Sequence, residues 1–238
     1  MIESKPFGRT KNGEECSLFY LYNHQGHSVC ITDFGARIVE INVPDSLGKI
    51  ENVVLAYDRL EAYENDPAYL GAIVGRYASR IHEGKFEMDG KIIQLSKNEK
   101  GNHLHGGENG FDKKVWKSST ESTKGFERLT LSYFSPDGEE GYPGNLEVSL
   151  IYTWNHESEL SLDFSAKSDQ KTIINLTSHS YFNLSGFAKE EVLNHLLMIH
   201  SKSFAPMKPE LVPQGTLEEV SETPFDFNCF KAIAKDIE

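Results

Sequence analysis

Residues 102–111 read NHLHGGENGF, with His103 and His105 two apart beside paired glycines and Glu108. Three kinds of role suit such a set. On a strand, side chains two apart point to one side, so HxHxxE can gather imidazole and carboxylate ligands around a divalent metal. The histidines can instead move protons, or they can be structural parts of a turn. A second histidine-bearing stretch, NLTSHSYFNL, spans 175–184 and alternates polar with bulky apolar residues around His179. That pattern fits a strand presenting a few polar groups in an apolar setting, as small-ligand sites do. The bland reading is a satisfied core histidine. A third stretch, GAIVGRYASRIHEGKF at 71–86, sets Arg76 and Arg80 among apolar residues. Each is either a surface arginine in a salt bridge or a guanidinium fork aimed at ligand oxygens. Without a GK[ST] ending, the glycines there do not form a phosphate loop.

The metal reading is the weakest. A cupin-like site asks for another histidine in a later Pro/Gly-containing motif, and after Tyr142-Pro143-Gly144 the chain runs NLEVSLIYTW with none. The spacing to Glu108 is also short. No metal and no cofactor are expected.

The elements that must hold these residues have a period of two. Leu129, Leu131 and Tyr133 share a face, as do Leu146, Val148, Leu150, Tyr152 and Trp154. Leu160, Leu162 and Phe164 repeat the pattern, and so do Val39, Ile41 and Val43. Each run predicts a half-buried strand. Asp89-Gly90, between two such runs, predicts a type I′ hairpin because both residues tolerate positive φ. Ser135–Gly144, SPDGEEGYPG, predicts a second turn, in which Glu139 and Glu140 are expected to be solvated. Helical patterns are confined to a turn or two over Asp58–Glu64 and a start over Phe230–Glu238. There is no linker, repeat or low-complexity tract, so residues 1–238 are expected to form a single all-β domain, an antiparallel sandwich or barrel.

Composition narrows the partners. The chain has 238 residues, 38% of them hydrophobic, and a formal charge of −12 from 24 basic and 36 acidic residues. That charge argues against nucleic acid. No apolar run is long enough to span a bilayer, and the start MIESKP lacks a signal-peptide core. Three cysteines, Cys16, Cys30 and Cys229, form no CxxC and no framework, which fits a reducing cytoplasm. Oligomeric state is not legible.

Four stretches in order, GRYASRIHEGKF, LHGGENGF, DGEEGYPG and NLTSHSYFNL, resemble the galactose mutarotases, or aldose 1-epimerases, and TPFDF at 223–227 is similar as well. The resemblance runs from about Phe7 to the end. It implies a large antiparallel β-sandwich of the mutarotase type, a supersandwich, and interconversion of the α and β anomers of free aldohexoses such as galactose or glucose. Such a reaction opens the hemiacetal ring and closes it on the other face. One group removes the C1 hydroxyl proton while another protonates the ring oxygen, and no cofactor is needed. By the resemblance His179 is the general acid, suited by histidine's ordinary pKa of about 6.5. His105 holds sugar oxygens beside it, and both are the catalytic candidates. Ser79, Arg80, Ser180 and Tyr181, with His105 and His179, bind the sugar. His103 matches no functional position. Gly106 and Gly107 let the backbone bend close to the pocket.

Two departures from the family pattern stand out. Ser79 replaces the usual Asn, which shortens the reach and removes the paired amide donor and acceptor. The family's sugar-binding Asp and its Glu base lie in a continuation after TPFDF, and no residue here matches them. On that ground the chain is expected to lack the C-terminal part of the fold. A non-catalytic carbohydrate-binding remnant is the alternative to an enzyme.

Overall fold

The computed structural model describes residues 1–187, 189 and 191–237, which divide into two units, 1–182 and 183–238. In the first unit, β1 (Ile2–Arg9), β2 (Glu15–Tyr22), β3 (Ser28–Thr32), β4 (Ile38–Pro44) and β5 (Ile50–Asn52) pair antiparallel in chain order as one sheet. The single α-helix among the described residues, α1 (Leu60–Glu64), buries Leu60 and Tyr63. Short strands follow: β6 (Ile73–Val74), β7 (Arg80–Ile81), the hairpin β8 (Lys85–Met88) and β9 (Lys91–Gln94), and β10 (His103–Leu104). The second large sheet comprises β11 (Lys117–Ser122), β12 (Phe126–Ser135), β13 (Leu146–Asn155) and β14 (Leu160–Ser168), again antiparallel in chain order. The last strand, β15 (Thr177–Ser178), returns to pair with β6.

The alternating faces explain why the two large sheets stack. Phe19, Leu21, Val29 and Ile31 of the first sheet meet Leu129, Leu131, Leu146, Val148, Leu150, Tyr152 and Trp154 of the second in one buried cluster. Each such side chain stabilises the fold by about 1.5–3 kcal/mol. The buried Tyr152 hydroxyl donates to the Ala36 carbonyl at 2.6 Å, so its polar end is satisfied across the interface. The period-two runs leave an antiparallel sandwich or barrel open, and the observed architecture is all-β with two stacked antiparallel sheets, the sandwich that the family resemblance implies. Asp89 and Gly90 have φ of 52° and 73°, as the type I′ turn requires.

One expected face is split. Val39, Ile41 and Val43 do not line one surface. The pairing of β3 with β4 slips between Cys30 and Ile31, and this bulge turns Val39 into a second cluster with Cys16, Cys30, Phe34, Leu60 and Tyr63. Ile41 stays in the main core, with Val43 packed against it.

In the second unit, β16 (Leu196–Leu197) pairs with β19 (Lys231–Ala232), and β17 (Ser203–Phe204) pairs with β18 (Glu218–Glu219). The helix expected from Phe230 is instead a two-residue strand and a 3₁₀ turn over Ile233–Asp236, and Glu238 lies outside the described residues. Pairing with β16 holds 231–232 extended, so tertiary context overrides the weak helical pattern. Among the described residues no helix is long and apolar enough to cross a membrane.

Candidate active site

His105 is positioned by two pieces of backbone. β10 pairs with β7, so His103 faces Ile81 and Leu104 faces Arg80. The chain then turns at His105, whose φ is 53°. Its N–H donates to the Ser79 carbonyl at 3.1 Å, and the Ser79 N–H donates to its Nδ1 at 3.0 Å. Ser79 also has positive φ, 71°, a conformation that Asn adopts more readily than Ser. What Ser79 gives the site here is therefore a backbone donor and a backbone acceptor.

The glycines after His105 answer to space. A Cβ on Gly106 would lie 1.7 Å from the Gly75 carbonyl oxygen, and one on Gly107 would lie 2.1 Å from the Glu140 carboxylate. Both have positive φ, so a side chain would be strained as well as blocked. Glu140 fills the space they leave. Its carboxylate accepts from the Glu108 and Asn109 N–H groups at 3.1 and 3.0 Å and from the Ser96 hydroxyl. Glu139 pairs with Lys114 at 2.8 Å and accepts from the Tyr133 hydroxyl at 2.7 Å. The expectation that both glutamates are solvated turn residues is corrected: the turn folds back, and Glu140 clamps the loop that carries His105.

His179 directly follows β15. Thr177 and Ser178 pair with Val74 and Ile73, and the His179 N–H donates to the Ala72 carbonyl at 2.8 Å. The Tyr181 carbonyl accepts from the Leu55 N–H at 2.9 Å. Alternation along this extended segment puts the His179 and Tyr181 rings together, centroids 5.2 Å apart. The Ser178 and Ser180 hydroxyls meet at 3.1 Å as a separate pair.

The two histidines meet. Their rings stand edge to face with centroids 5.0 Å apart, and Tyr69 touches both, at 4.9 Å from His105 and 5.8 Å from His179. Arg80, half-buried beside them, donates through Nε to Glu99 at 3.2 Å. The structure thus brings together His105, Ser79, His179 and Tyr181, with Arg80 on the adjoining strand. Ser180 has its hydroxyl on Ser178.

Burial pushes the His105 pKa down to about 4, helped by the charges of His179 and Arg80. His105 is then neutral near pH 7. Since its Nδ1 accepts from Ser79, the proton sits on Nε2, which makes Nε2–H a donor free of any need to titrate. A folded-state pKa below the unfolded value of about 6.5 means that the unfolded chain binds the proton first, so stability falls as pH drops from about 6.5 toward 4.

His103 is fully buried and occupied on both ring nitrogens. Nδ1 lies 2.8 Å from the Ser96 carbonyl and Nε2 lies 2.6 Å from the Tyr142 hydroxyl. Burial lowers its pKa as well. The positive φ of His105 sends the two imidazoles to different places, so the paired-ligand geometry assumed in the metal reading does not form. Arg76 is neither a surface residue nor a ligand fork. It is buried and donates to the carbonyls of Ser135 and Pro136, both at 2.9 Å, and of Pro143 at 3.1 Å, which fastens the 135–144 turn.

Sequence reasoning passed over Tyr69 and the charges behind it. Tyr69 has φ of 55° in a loop organised by Asp66, whose carboxylate accepts from the Ala68 and Leu70 N–H groups at 2.9 and 2.6 Å. Arg37, fully buried, donates to Asp66 at 2.8 Å, to the Leu70 carbonyl at 2.8 Å and to the Asp112 carbonyl at 3.2 Å. The Asp-Pro pair at 66–67 signals a turn, but nothing in the sequence alone joins Arg37 to it.

Comparison with known proteins gives one consistent answer. The family model described as aldose 1-epimerase matches residues 17–238. The chain is 42% identical over 210 residues to a galactose mutarotase of Bos taurus, covering 88% of this chain and 60% of that one. It is 33% identical over 225 residues to an aldose 1-epimerase of Escherichia coli K12, covering 94% of this chain and 64% of that one. It therefore spans about three fifths of the length of these curated relatives. A solved galactose 1-epimerase from Lactobacillus acidophilus superposes with a TM-score of 0.90 at 30% identity, covering 100% of this chain and 68% of that one.

Proposed function

The chain belongs to the aldose 1-epimerase family, and from that membership we propose that it interconverts the α and β anomers of free aldohexoses such as galactose and glucose. The observation that carries the reading is the edge-to-face pair of His105 and His179, 5.0 Å apart and walled by tyrosine rings. In the proposed reaction His179 protonates the ring oxygen as its bond to C1 breaks. The proton on the C1 hydroxyl leaves to a base, a part the family resemblance gives to a glutamate that no residue of 1–238 matches. The open aldehyde rotates about C1–C2 and closes on its other face. A positioned acid of this kind supplies roughly 10²–10⁴-fold.

The two histidines divide the work by their surroundings. His105, neutral and with Nδ1 tied to Ser79, serves as a fixed Nε2–H donor to a sugar oxygen. That leaves proton transfer to His179. Arg80 offers guanidinium donors to sugar hydroxyls, and the Tyr181 ring supplies an apolar face for the sugar's C–H side. Ser79 acts through its backbone, and Ser180 is assigned a sugar contact by the resemblance alone. The family match runs unbroken across both units, which supports reading 1–238 as parts of one aldose 1-epimerase-like domain. The three cysteines are free, two of them buried, which supports a reducing cytoplasmic setting.

Exchange spectroscopy of the anomeric protons of galactose at equilibrium tests the reading. Cross-peaks between α and β signals at millisecond-to-second mixing times, absent without the chain, are expected. Sugar-induced shifts in the protein spectrum without anomer exchange would support the carbohydrate-binding alternative instead.

A further inference from the structure

Tyr69 lies in none of the stretches that carry the family resemblance, yet its ring touches both histidines, 4.9 Å from His105 and 5.8 Å from His179. The backbone that presents it is left-handed, with φ of 55°, a conformation a bulky aromatic residue holds only when its surroundings impose it. The surroundings here are specific. The Asp66 carboxylate ties down the N–H groups on either side of Tyr69, those of Ala68 and Leu70. Arg37 anchors both that carboxylate and the Leu70 carbonyl, and both charged side chains have no solvent exposure. The Tyr69 carbonyl accepts from the Ala72 N–H at 3.0 Å, and Ala72 in turn accepts from the His179 N–H. A buried ion pair, a strained loop and a ring packed against both imidazoles form one connected chain of contacts.

We propose that Tyr69 is the positioning residue of the histidine pair: held by Arg37 and Asp66, its ring sets the distance between His105 and His179 and keeps water from His105. The catalytic consequence rests on the proposed acid–base function, but the positioning itself does not. The charged groups acting on His105 are His179 and Arg80, while Asp112, Asp66, Arg37 and Arg80 act on Tyr69. Burial pushes the Tyr69 phenol up to about 12, so it stays protonated wherever histidine titrates.

The test follows the imidazole resonances of the full 238-residue chain as wild type, Tyr69→Phe and Tyr69→Ala between pH 5.5 and 8. In the wild type His105 is expected to show no inflection in this window and an Overhauser contact between the His105 and His179 rings. Tyr69→Phe keeps the ring and is expected to keep both signatures. Tyr69→Ala is expected to bring the His105 midpoint up from about 4 by roughly 1.5 units or more, into the window, and to lose the ring–ring contact. A folded Tyr69→Ala chain that keeps both signatures would overturn the proposal. If the alanine variant does not fold, Tyr69→Leu takes its place, with the same outcomes expected and the same result decisive. Both readouts are made on the resting chain, so failure of the proposed reaction would not imitate either one.

Discussion

Replacing Arg37 by Met should remove a large part of the margin of stability of residues 1–182, and more so at neutral than at acid pH. Arg37 donates to Asp66 at 2.8 Å, to the Leu70 carbonyl at 2.8 Å and to the Asp112 carbonyl at 3.2 Å, and it lies 3.7 Å from the Asp112 carboxylate. All three side chains are fully buried. Removing one partner of such a cluster leaves uncompensated charge and costs about 3–5 kcal/mol, against a typical total of about 5–15 kcal/mol. The pH dependence has a definite sign. Burial already holds the Asp112 pKa up to about 6, with Arg37 opposing the rise. A carboxyl raised in the folded state contributes stability that is fully present below its unfolded pKa and is lost as pH rises through the folded value. Without Arg37 the rise is larger, and the loss extends further up the pH scale. The deficit of the variant should therefore be largest near pH 7.5. Near pH 4.5, where Asp112 is neutral in both proteins, it should shrink to about 1–2 kcal/mol, the scale of a few lost hydrogen bonds. Trp116 and Trp154 are both buried in this unit, so tryptophan emission during urea titration reports on it alone. A midpoint lowered by roughly 1–2 M at pH 7.5 is expected. A deficit under about 1 kcal/mol, or one that grows as pH falls, would refute the reasoning.

Three further outcomes follow from the loop that holds His105. Glu140→Gln turns an amide donor toward the Glu108 and Asn109 N–H groups, so it should cost about 1–3 kcal/mol and shift those two amide resonances; unshifted amides would count against the clamp. Gly106→Ala places a methyl group inside van der Waals contact with the Gly75 carbonyl at a positive φ, and should destabilise by at least about 2 kcal/mol in chemical denaturation. Ser79→Asn suits the φ of 71° better and should raise stability by about 0.5 kcal/mol while leaving the bond from its N–H to His105 in place; a drop in melting temperature would contradict this.

Much of the fold was legible because long strands carry a period. β12, β13 and the Asp89-Gly90 hairpin appear where alternation and turn chemistry place them. The site was legible in part. His105 and His179 were found by residue type and by family resemblance, but their meeting depends on the pairings β6–β15 and β7–β10, each only two residues long. Two residues show no periodicity, and only the finished fold determines which segments pair. Charges were the least legible. Arg37, Arg76 and Glu140 are of residue types usual at surfaces, and the burial of the two arginines and the half-burial of Glu140 follow from carboxylates, carbonyls and N–H groups that the fold brings to them. Tyr69 was hidden for a related reason: its ring contacts come from a left-handed backbone that a buried ion pair imposes from elsewhere in the chain.

The central claim is that the histidine pair performs acid–base ring opening, and polarimetry on freshly dissolved α-D-galactose tests it most directly. The wild-type chain should speed the approach to the equilibrium rotation, and His179→Ala, folded and at the same concentration, should lose roughly 10²–10⁴-fold of that acceleration. Equal acceleration by the wild type and the alanine variant would contradict the account.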